Sequence, residues 1–281
     1  MTAVDALDLE VQEGTITAFL GPNGAGKTTT ISLLLGLIKA QAGSCEVLGY
    51  PPGHPKALAQ LGAMVESPSL YDHLTGTENI EITRLMRNLP PSESDRVLTL
   101  VGLKQDAKRP VRNYSLGMRQ RLGMALALIG SPRLLILDEP TNGLDPEGIR
   151  EIRDLIRKVP LEIGATVFLS SHILAEVEQV ASQVAVIHRG RLRYQGAIEG
   201  LGTPSQSQLQ IRVDNPAKAV QQLGDLGFPA KEEGGLLLVQ APETSAPEIA
   251  SSLIQAGLSL YELAPQKLNL EARFLSFLEE K

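Results

Sequence analysis

The sequence predicts an α/β fold, a mostly parallel β-sheet covered by helices, followed by a small α+β domain. Three observations carry that expectation. Short apolar runs at Thr15 to Leu20, Leu134 to Leu137, Thr166 to Leu169 and Val184 to Ile187 alternate with longer helical patterns, and parallel strands need such helical crossovers. Leu134 to Leu137 is apolar without interruption, as in a strand buried on both faces. A glycine-rich stretch follows the run ending at Leu20 and leads into a helical pattern.

Taken in order, Leu7, Leu9 and Val11 alternate with Asp8 and Glu10 and read as a half-exposed strand. Gly14 turns the chain into the strand Thr15 to Leu20, and a further strand is expected at Cys45 to Leu48. From Ser67 to Gly130 strand signals give way to helical ones, so an inserted helical subdomain is expected over about residues 67–130. Within it Ser92 is placed to cap a helix carrying Val97, Leu98 and Val101 up to Gly102. Ser115 opens another helix, with Met118, Leu122, Ala125, Leu126 and Ile129 on its apolar face and Gly130 and Pro132 closing it.

At 281 residues the chain is long for a single average domain. The expected division is 1–201 and 202–281, with a linker rich in Ser, Gln, Gly, Thr and Pro from Leu201 to Gln208. Beyond it come a strand at Gln208 to Val213, a helix from Pro216, a strand pair turned at Gly234-Gly235, a helix from Pro247 and a strand at Leu258 to Leu263. That β-α-β-β-α-β order is a ferredoxin-like layout. A last helix, Asn269 to Glu280, presents Leu270, Phe274, Leu275, Phe277 and Leu278 to a core or partner.

Composition excludes several function classes. The net charge of -6 and the lack of a long Lys/Arg run argue against a nucleic-acid partner. Cys45 is the only cysteine, so neither a disulfide framework nor a thiolate metal site is available, which points to a reducing compartment. Met1 to Val11 lacks the basic patch and apolar core of a secretory signal. The apolar stretch Ile31 to Ile38 is far shorter than the roughly 18 to 20 residues of a membrane span. Direct membrane insertion is therefore not expected, and contact with a membrane runs through a partner.

The chemistry lies in four stretches. Gly21, Pro22, Asn23, Gly24, Ala25, Gly26, Lys27 and Thr28 satisfy G-x-x-x-x-G-K-[ST] between a strand and a helix, with Thr29 following. Backbone N–H groups of such a loop, with the positive end of the helix, suit phosphate oxygens. Lys27 then meets the β and γ phosphates of a nucleoside triphosphate, and the Thr28 hydroxyl ligates Mg²⁺. The buried run 134–137 delivers Asp138, placed to hold the metal through water, and Glu139, the candidate general base for attack on the γ phosphate. Ser115 and Gly117 offer a hydroxyl and bare N–H groups at a helix start, an anion site that alone is commonplace. Its place 23 residues ahead of Asp138 gives it weight. The fourth stretch is Ser170-Ser171-His172. Left to itself, a histidine after two serines reads as a surface residue at a helix start, and His54, His73 and His188 keep that reading.

In these residues the chain resembles the ATP-binding cassette family over roughly Thr2 to Gly200. Residues 114–120 look like its signature motif, with Ser-Leu-Gly-Met in place of Ser-Gly-Gly-Gln; Asn142 to Asp145 look like its D-loop, and His172 matches its switch histidine. The resemblance implies a P-loop NTPase (RecA-like) core with an antiparallel β subdomain and the inserted helical subdomain, ATP and Mg²⁺ as cofactors, and hydrolysis coupled to transport. It implies two cassettes paired head to tail as a homodimer. Ser115, Leu116, Gly117, Met118 and Asp145 of one then complete the nucleotide site of the other. His172 contacts the γ phosphate and holds the attacking water. A membrane-spanning subunit is the implied partner, contacted by the region Ser67 to Asn79, and places the protein in the cytoplasm at the inner face of the membrane.

Two departures stand out. Glu66 occupies the position of the family's Q-loop glutamine, so the expected metal set of Thr28, Asp138 and Glu66 holds an extra carboxylate. Together with Leu74 to Asn79 and Tyr114 to Met118, Glu66 resembles the branch containing bacitracin exporters and lantibiotic self-protection pumps. The family also stacks adenine on an aromatic ahead of its first strand, whereas the only aromatic before the loop here is Phe19, inside the second strand. Weak or poorly base-selective nucleotide binding is one expectation; a start upstream of Met1 is the other. The leading function is the motor subunit of an exporter. The alternatives are a soluble cassette ATPase acting on ribosomes or DNA and a nucleotide-dependent regulator.

Overall fold

The computed structural model describes residues 2–201 and 208–265, together with Leu270, Phe274, Leu275 and Phe277. Strand β1 (Ile16–Leu20) leads through the glycine loop into α1 (Lys27–Leu34). After the single turn α2 (Pro55–Leu58) and strand β2 (Leu61–Met64), the helices α3 (Gly76–Met86), α4 (Ser92–Leu100) and α5 (Leu116–Leu128) follow without an intervening strand. The chain returns to the sheet with β3 (Leu134–Leu137), α6 (Pro146–Ile163), β4 (Thr166–Ser171), α7 (Leu174–Val177), β5 (Gln183–His188), β6 (Arg191–Ala197) and the turn α8 (Ile198–Leu201).

These strands form one sheet in the order β2-β3-β4-β1-β5-β6, parallel except for β6 at the edge. Ala18 to Leu20, Leu135 to Leu137, Val167 to Leu169 and Val184 to Ile187 are all buried, which is why each reads as an apolar run and not as an alternation. Phe19 and Phe168 stack across the β1–β4 pair with centroids 5.5 Å apart, worth about 1 kcal/mol beyond the area they bury. Local chemistry sets the helix ends. Thr75 and Glu78 form a reciprocal capping box at α3, and α6 starts at Asp145-Pro146 and stops at left-handed Gly164.

A second compact unit begins at Glu199, with Phe277 grouped with the first. It contains β7 (Gln208–Val213), α9 (Pro216–Asp225), β8 (Ala230–Glu233), β9 (Leu236–Gln240), α10 (Ala246–Gln255) and β10 (Leu260–Pro265). The sheet is antiparallel throughout in the order β10-β7-β9-β8, the ferredoxin-like arrangement. Leu209, Ile211, Leu237 and Val239 from the sheet pack with Leu223 of α9 and Leu253 of α10 in its core.

Several expected elements differ. Residues 7–11 form no strand, because Gln195 of β6 takes both backbone groups of Glu10: its Oε1 accepts the Glu10 N–H at 3.3 Å and its Nε2 donates to the Glu10 carbonyl at 2.6 Å. Leu7, Leu9 and Val11 still pack on the core around Phe19 and Ile31. Residues 45–48 are a tight reversal, not a strand. Val47 and Tyr50 exchange both backbone hydrogen bonds across Leu48 and Gly49, each left-handed. Of an antiparallel β subdomain, the described residues hold the β5–β6 pair and this bridge. Ser92 is the first residue of α4 and not its cap; Pro91 precedes it with no side-chain cap. β10 begins two residues after the expected Leu258. His54 does cap a helix, its Nδ1 accepting the Lys56 N–H at 3.2 Å. His188 is no surface residue: its ring nitrogens are enclosed and, among the described residues, unpaired. Burial, with Arg189 and Arg193 alongside, pushes its pKa below the usual histidine range. Residues 202–207 of the expected linker and most of the expected last helix lie outside the described residues.

Candidate active site at the carboxyl ends of the strands

In a parallel sheet the carboxyl ends of neighbouring strands open onto one crevice, and loops leaving them can converge. Here β1, β3 and β4 are adjacent, and from their ends depart the glycine loop, Asp138-Glu139 and Ser170-Ser171-His172. Backbone bonds carry the ladder into the loops: Gly21 N–H donates to the Ser171 carbonyl at 3.2 Å and Asp138 N–H to the Met64 carbonyl at 2.8 Å.

The glycine loop needs its glycines for space and for backbone conformation. A Cβ on Gly21 would lie 2.4 Å from the Ile187 carbonyl oxygen. Gly26, at φ 109°, would place one 2.5 Å from the Ala3 carbonyl oxygen while forming the N-cap of α1. The Ala25 carbonyl accepts the Gly190 N–H at 2.9 Å, so the β5–β6 turn supports the loop from behind. Asn23, Gly24 and Thr28 are exposed and Thr29 half-buried. The Thr28 hydroxyl makes no hydrogen bond among the described residues. Thr30, two residues on, spends its hydroxyl on the Gly26 carbonyl at 2.9 Å.

Lys27 is buried and bends back over the loop, donating to the Gly21 carbonyl at 2.7 Å and the Pro22 carbonyl at 3.2 Å. Its ammonium also stands 3.1 Å from Oε1 of Glu139. The other carboxylate oxygen of Glu139 is 2.8 Å from Nδ1 of His172. One carboxylate therefore links the lysine of the glycine loop to the histidine after β4. Glu139 adopts φ 48°, left-handed and uncommon for a residue with a Cβ. Asp138 is buried, and its Oδ1 accepts the Ser170 hydroxyl at 2.5 Å. A carboxylate held between an ammonium and an imidazole can accept the proton of a water positioned beside it.

The other expected site residues stand apart from this group. Ser115 caps α5, its hydroxyl accepting the Met118 N–H at 3.2 Å. A Cβ on Gly117 would lie 3.9 Å from Gly148 Cα and one on Gly143 3.6 Å from the Leu116 side chain, and Leu116 is half exposed. Asp145 caps α6, accepting the Gly148 N–H at 2.8 Å. Glu66 is exposed at φ 55°, two residues past the Met64 carbonyl that receives the Asp138 N–H. Phe19 is wholly buried against Phe168 and offers no face to a base.

Two residues within the expected stretches take roles that the sequence did not assign them. Ser170 contacts both acids, and buried Gln120 of α5 donates from Nε2 to the Pro140 carbonyl at 2.7 Å, tying the helix of Ser115 to the turn after Glu139. The signal for Ser170 was its place beside His172; for Gln120 it was a polar residue amid an apolar helix.

The sequence model of the family described as "ABC transporter" matches residues 4–142. The bacitracin transport ATP-binding protein of Bacillus licheniformis is 38% identical over 282 residues, covering 98% of this chain and 92% of that protein. This chain belongs to the ABC transporter family. The lantibiotic transport ATP-binding protein of Streptococcus pyogenes is 41% identical over 199 residues, covering 71% of this chain and 86% of that protein. Among solved structures, the ATP-binding subunit of an ABC transporter aligns with a TM-score of 0.63 at 28% identity over 71% of this chain and 85% of that one. The chain is thus an ATP-binding, ATP-hydrolysing subunit of an ABC transporter, and the soluble and regulatory alternatives fall away. As the ATP-binding subunit of a transporter it implies a membrane-spanning partner subunit, and among the described residues no helix is long and apolar enough to cross a membrane.

Proposed function

We propose that this ABC ATPase subunit powers an exporter of antibiotic, peptide or drug-like substrates, with ATP sandwiched between two copies of the cassette. The single observation that carries the nucleotide reading is the linked set Lys27–Glu139–His172 at the sheet's carboxyl edge. Lys27 leaves the carbonyls of Gly21 and Pro22 to bind the β and γ phosphates, Glu139 takes the proton of the attacking water, and His172 orients that water through the γ phosphate. Lys27 is moreover the cation that neutralises Glu139 before nucleotide arrives, so phosphate binding releases the base. The donors available for Mg²⁺ are the Thr28 hydroxyl and the carboxylates of Asp138 and Glu66, hard oxygens of the type this ion takes alongside phosphate. When bound, the ion neutralises phosphate charge; the chain's own part is to place those oxygens.

The remaining expected residues fit a second copy. Leu116 is half exposed, and Leu116 and Gly117 lie beside Gly143 and Gly148 at the turn into α6, as suits a surface that completes the partner's site. The cassette spans residues 1–201 and the small α+β domain 202–281, a division supported by the unit boundary at Glu199. The subunit sits at the cytoplasmic face of the membrane through a membrane-spanning partner. Export of peptide antibiotics is supported by the bacitracin transport protein, whose similarity extends through both units.

The test is expression of the chain, with the membrane-spanning protein encoded beside it, in a host sensitive to bacitracin and lantibiotics. Tolerance to at least one rises, and Glu139→Gln abolishes the rise while lowering ATPase kcat about 100-fold or more. Unchanged tolerance with the parent pair would overturn the export reading, and a Glu139→Gln variant turning over at the parental rate would overturn the base.

A further inference from the structure

We propose that Ser170 is the positioning residue for both strand-end acids, a role that rests on the reading of Glu139 as the base. Ser170 lies in β4, paired with Phe19 of β1 and wholly buried. Its hydroxyl donates to Asp138 Oδ1 at 2.5 Å and accepts the Glu139 N–H at 2.8 Å. The single proton of the hydroxyl and one of its lone pairs are thus directed to consecutive residues of another strand's end.

Glu139 needs such a fixture. The ladder between β2 and β3 extends to the Asp138 N–H and stops there, and the next residue turns left-handed at φ 48°. A conformation of that kind persists only where its surroundings over-determine it. Three features set this turn: the Asp138 N–H bond to Met64, the Ser170 hydroxyl on the Glu139 N–H, and Gln120 on the Pro140 carbonyl. Of these, only Ser170 also holds the side chain of Asp138. The direction of the Glu139 carboxylate, 3.1 Å from Lys27 and 2.8 Å from His172, follows from that backbone. The neighbouring Ser171 faces other work, its hydroxyl accepting the Ile173 N–H at 3.0 Å. Ser170 touches no substrate in this arrangement; it acts through the acids.

Threonine and valine have nearly the same shape and differ in the hydroxyl, so Ser170→Thr and Ser170→Val separate hydrogen bonding from volume. In steady-state ATPase assays of the full chain, Ser170→Val loses about 100-fold in kcat, the scale on which small misplacement of a reacting group is felt. Its KM and its equilibrium affinity for ATP stay within about 2-fold, because uniform binding is untouched. Ser170→Thr keeps kcat within about 3-fold of the parent, and thermal melts accompany each variant. Should a methyl group prove too large for the site, Ser170→Ala gives the same kcat loss at constant KM, with faster hydrogen exchange at the Glu139 amide. Near-parental kcat for Ser170→Val, parental kcat in Ser170→Ala, or a rise in KM with kcat kept would each overturn the proposal. Glu139→Gln measured in parallel keeps the two readings apart. An inactive Glu139→Gln beside fully active Ser170 variants removes only the positioning role, whereas an active Glu139→Gln removes the base.

Discussion

At the scale of single residues, the residue type in a motif announces chemistry and the residue that steadies it stays hidden. Lys27, Asp138, Glu139 and His172 were legible because few side chains can bind phosphate or move a proton, and their spacing relative to strands is telling. Ser170 sat in the stretch ending at His172 but without a role of its own, because the partner of a serine hydroxyl shows only in the fold, here 2.5 Å away at Asp138. Glu66 is the residue at which sequence and geometry together yield a prediction. It lies two residues past Met64, whose carbonyl accepts the Asp138 N–H, and in the proposed metal set its carboxylate adds to that of Asp138. Like charges around one metal repel, and the exposure of Glu66 keeps the effect small through solvent screening. A net effect of about 0.7 kcal/mol corresponds to about 3-fold in a binding constant. Glu66→Gln should therefore turn over faster at rest and depend less steeply on Mg²⁺, with the half-saturating concentration changed by that factor. An unaltered Mg²⁺ titration and rate would remove Glu66 from the metal's surroundings.

At the scale of elements, the inserted helices are held by polar contacts at their ends as much as by apolar faces. Glu93, in the first turn of α4, accepts Nε and Nη2 of Arg96 at 2.8 Å each and the Gly130 N–H at 2.8 Å. It thereby ties the start of α4 to the chain just past α5. Arg96 above all, with the Gly130 N–H adding to it against the opposing effect of burial, holds the Glu93 carboxyl below its ordinary value. A carboxyl depressed on folding contributes stability above the unfolded value near 4.3, and the contribution is lost as pH falls through the lower folded value. Glu93→Gln should therefore cost about 1 kcal/mol at pH 7, in the range for charge-assisted hydrogen bonds. Melts at pH 7 and at about pH 3.5 check this, and a deficit undiminished in acid would count against it. Elements were read well where periodicity acts alone: β7 has the expected bounds and α9 starts at Pro216. β2 was missed because its strand character is imposed by packing. A Cβ on Gly62 would lie 1.9 Å from the Ala127 carbonyl oxygen of α5, so the position demands the residue that weakens a strand signal. Residues 7–11 failed the other way, their alternation real and their backbone bonds taken by the side chain of Gln195.

At the scale of the whole molecule, the head-to-tail pairing we propose would make the constellation within one chain half of a nucleotide site. The phosphate-side groups meet at the carboxyl edge of the sheet, while Ser115 to Met118 lie at the start of α5 beside the turn leading into α6. Gln120 connects the two regions, joining the helix that presents Ser115 to the carbonyl that follows Glu139. If each signature segment serves the partner's nucleotide, defects in the two halves complement each other. Lys27→Ala disables the phosphate loop and leaves Ser115 intact; Ser115→Arg blocks the signature and leaves the loop intact. Each homodimer then holds two broken sites, but the mixed dimer holds one doubly broken site and one with both halves sound. Random pairing of equal amounts makes about half the dimers mixed, so about a quarter of the parental ATPase rate returns on mixing two silent preparations, the sites working independently. Recovery that falls more steeply than in proportion to protein concentration on dilution identifies association as its source. A mixture as silent as its components would show instead that each chain completes its own site, and Ser115 would then keep only the role visible within one copy, the cap of α5.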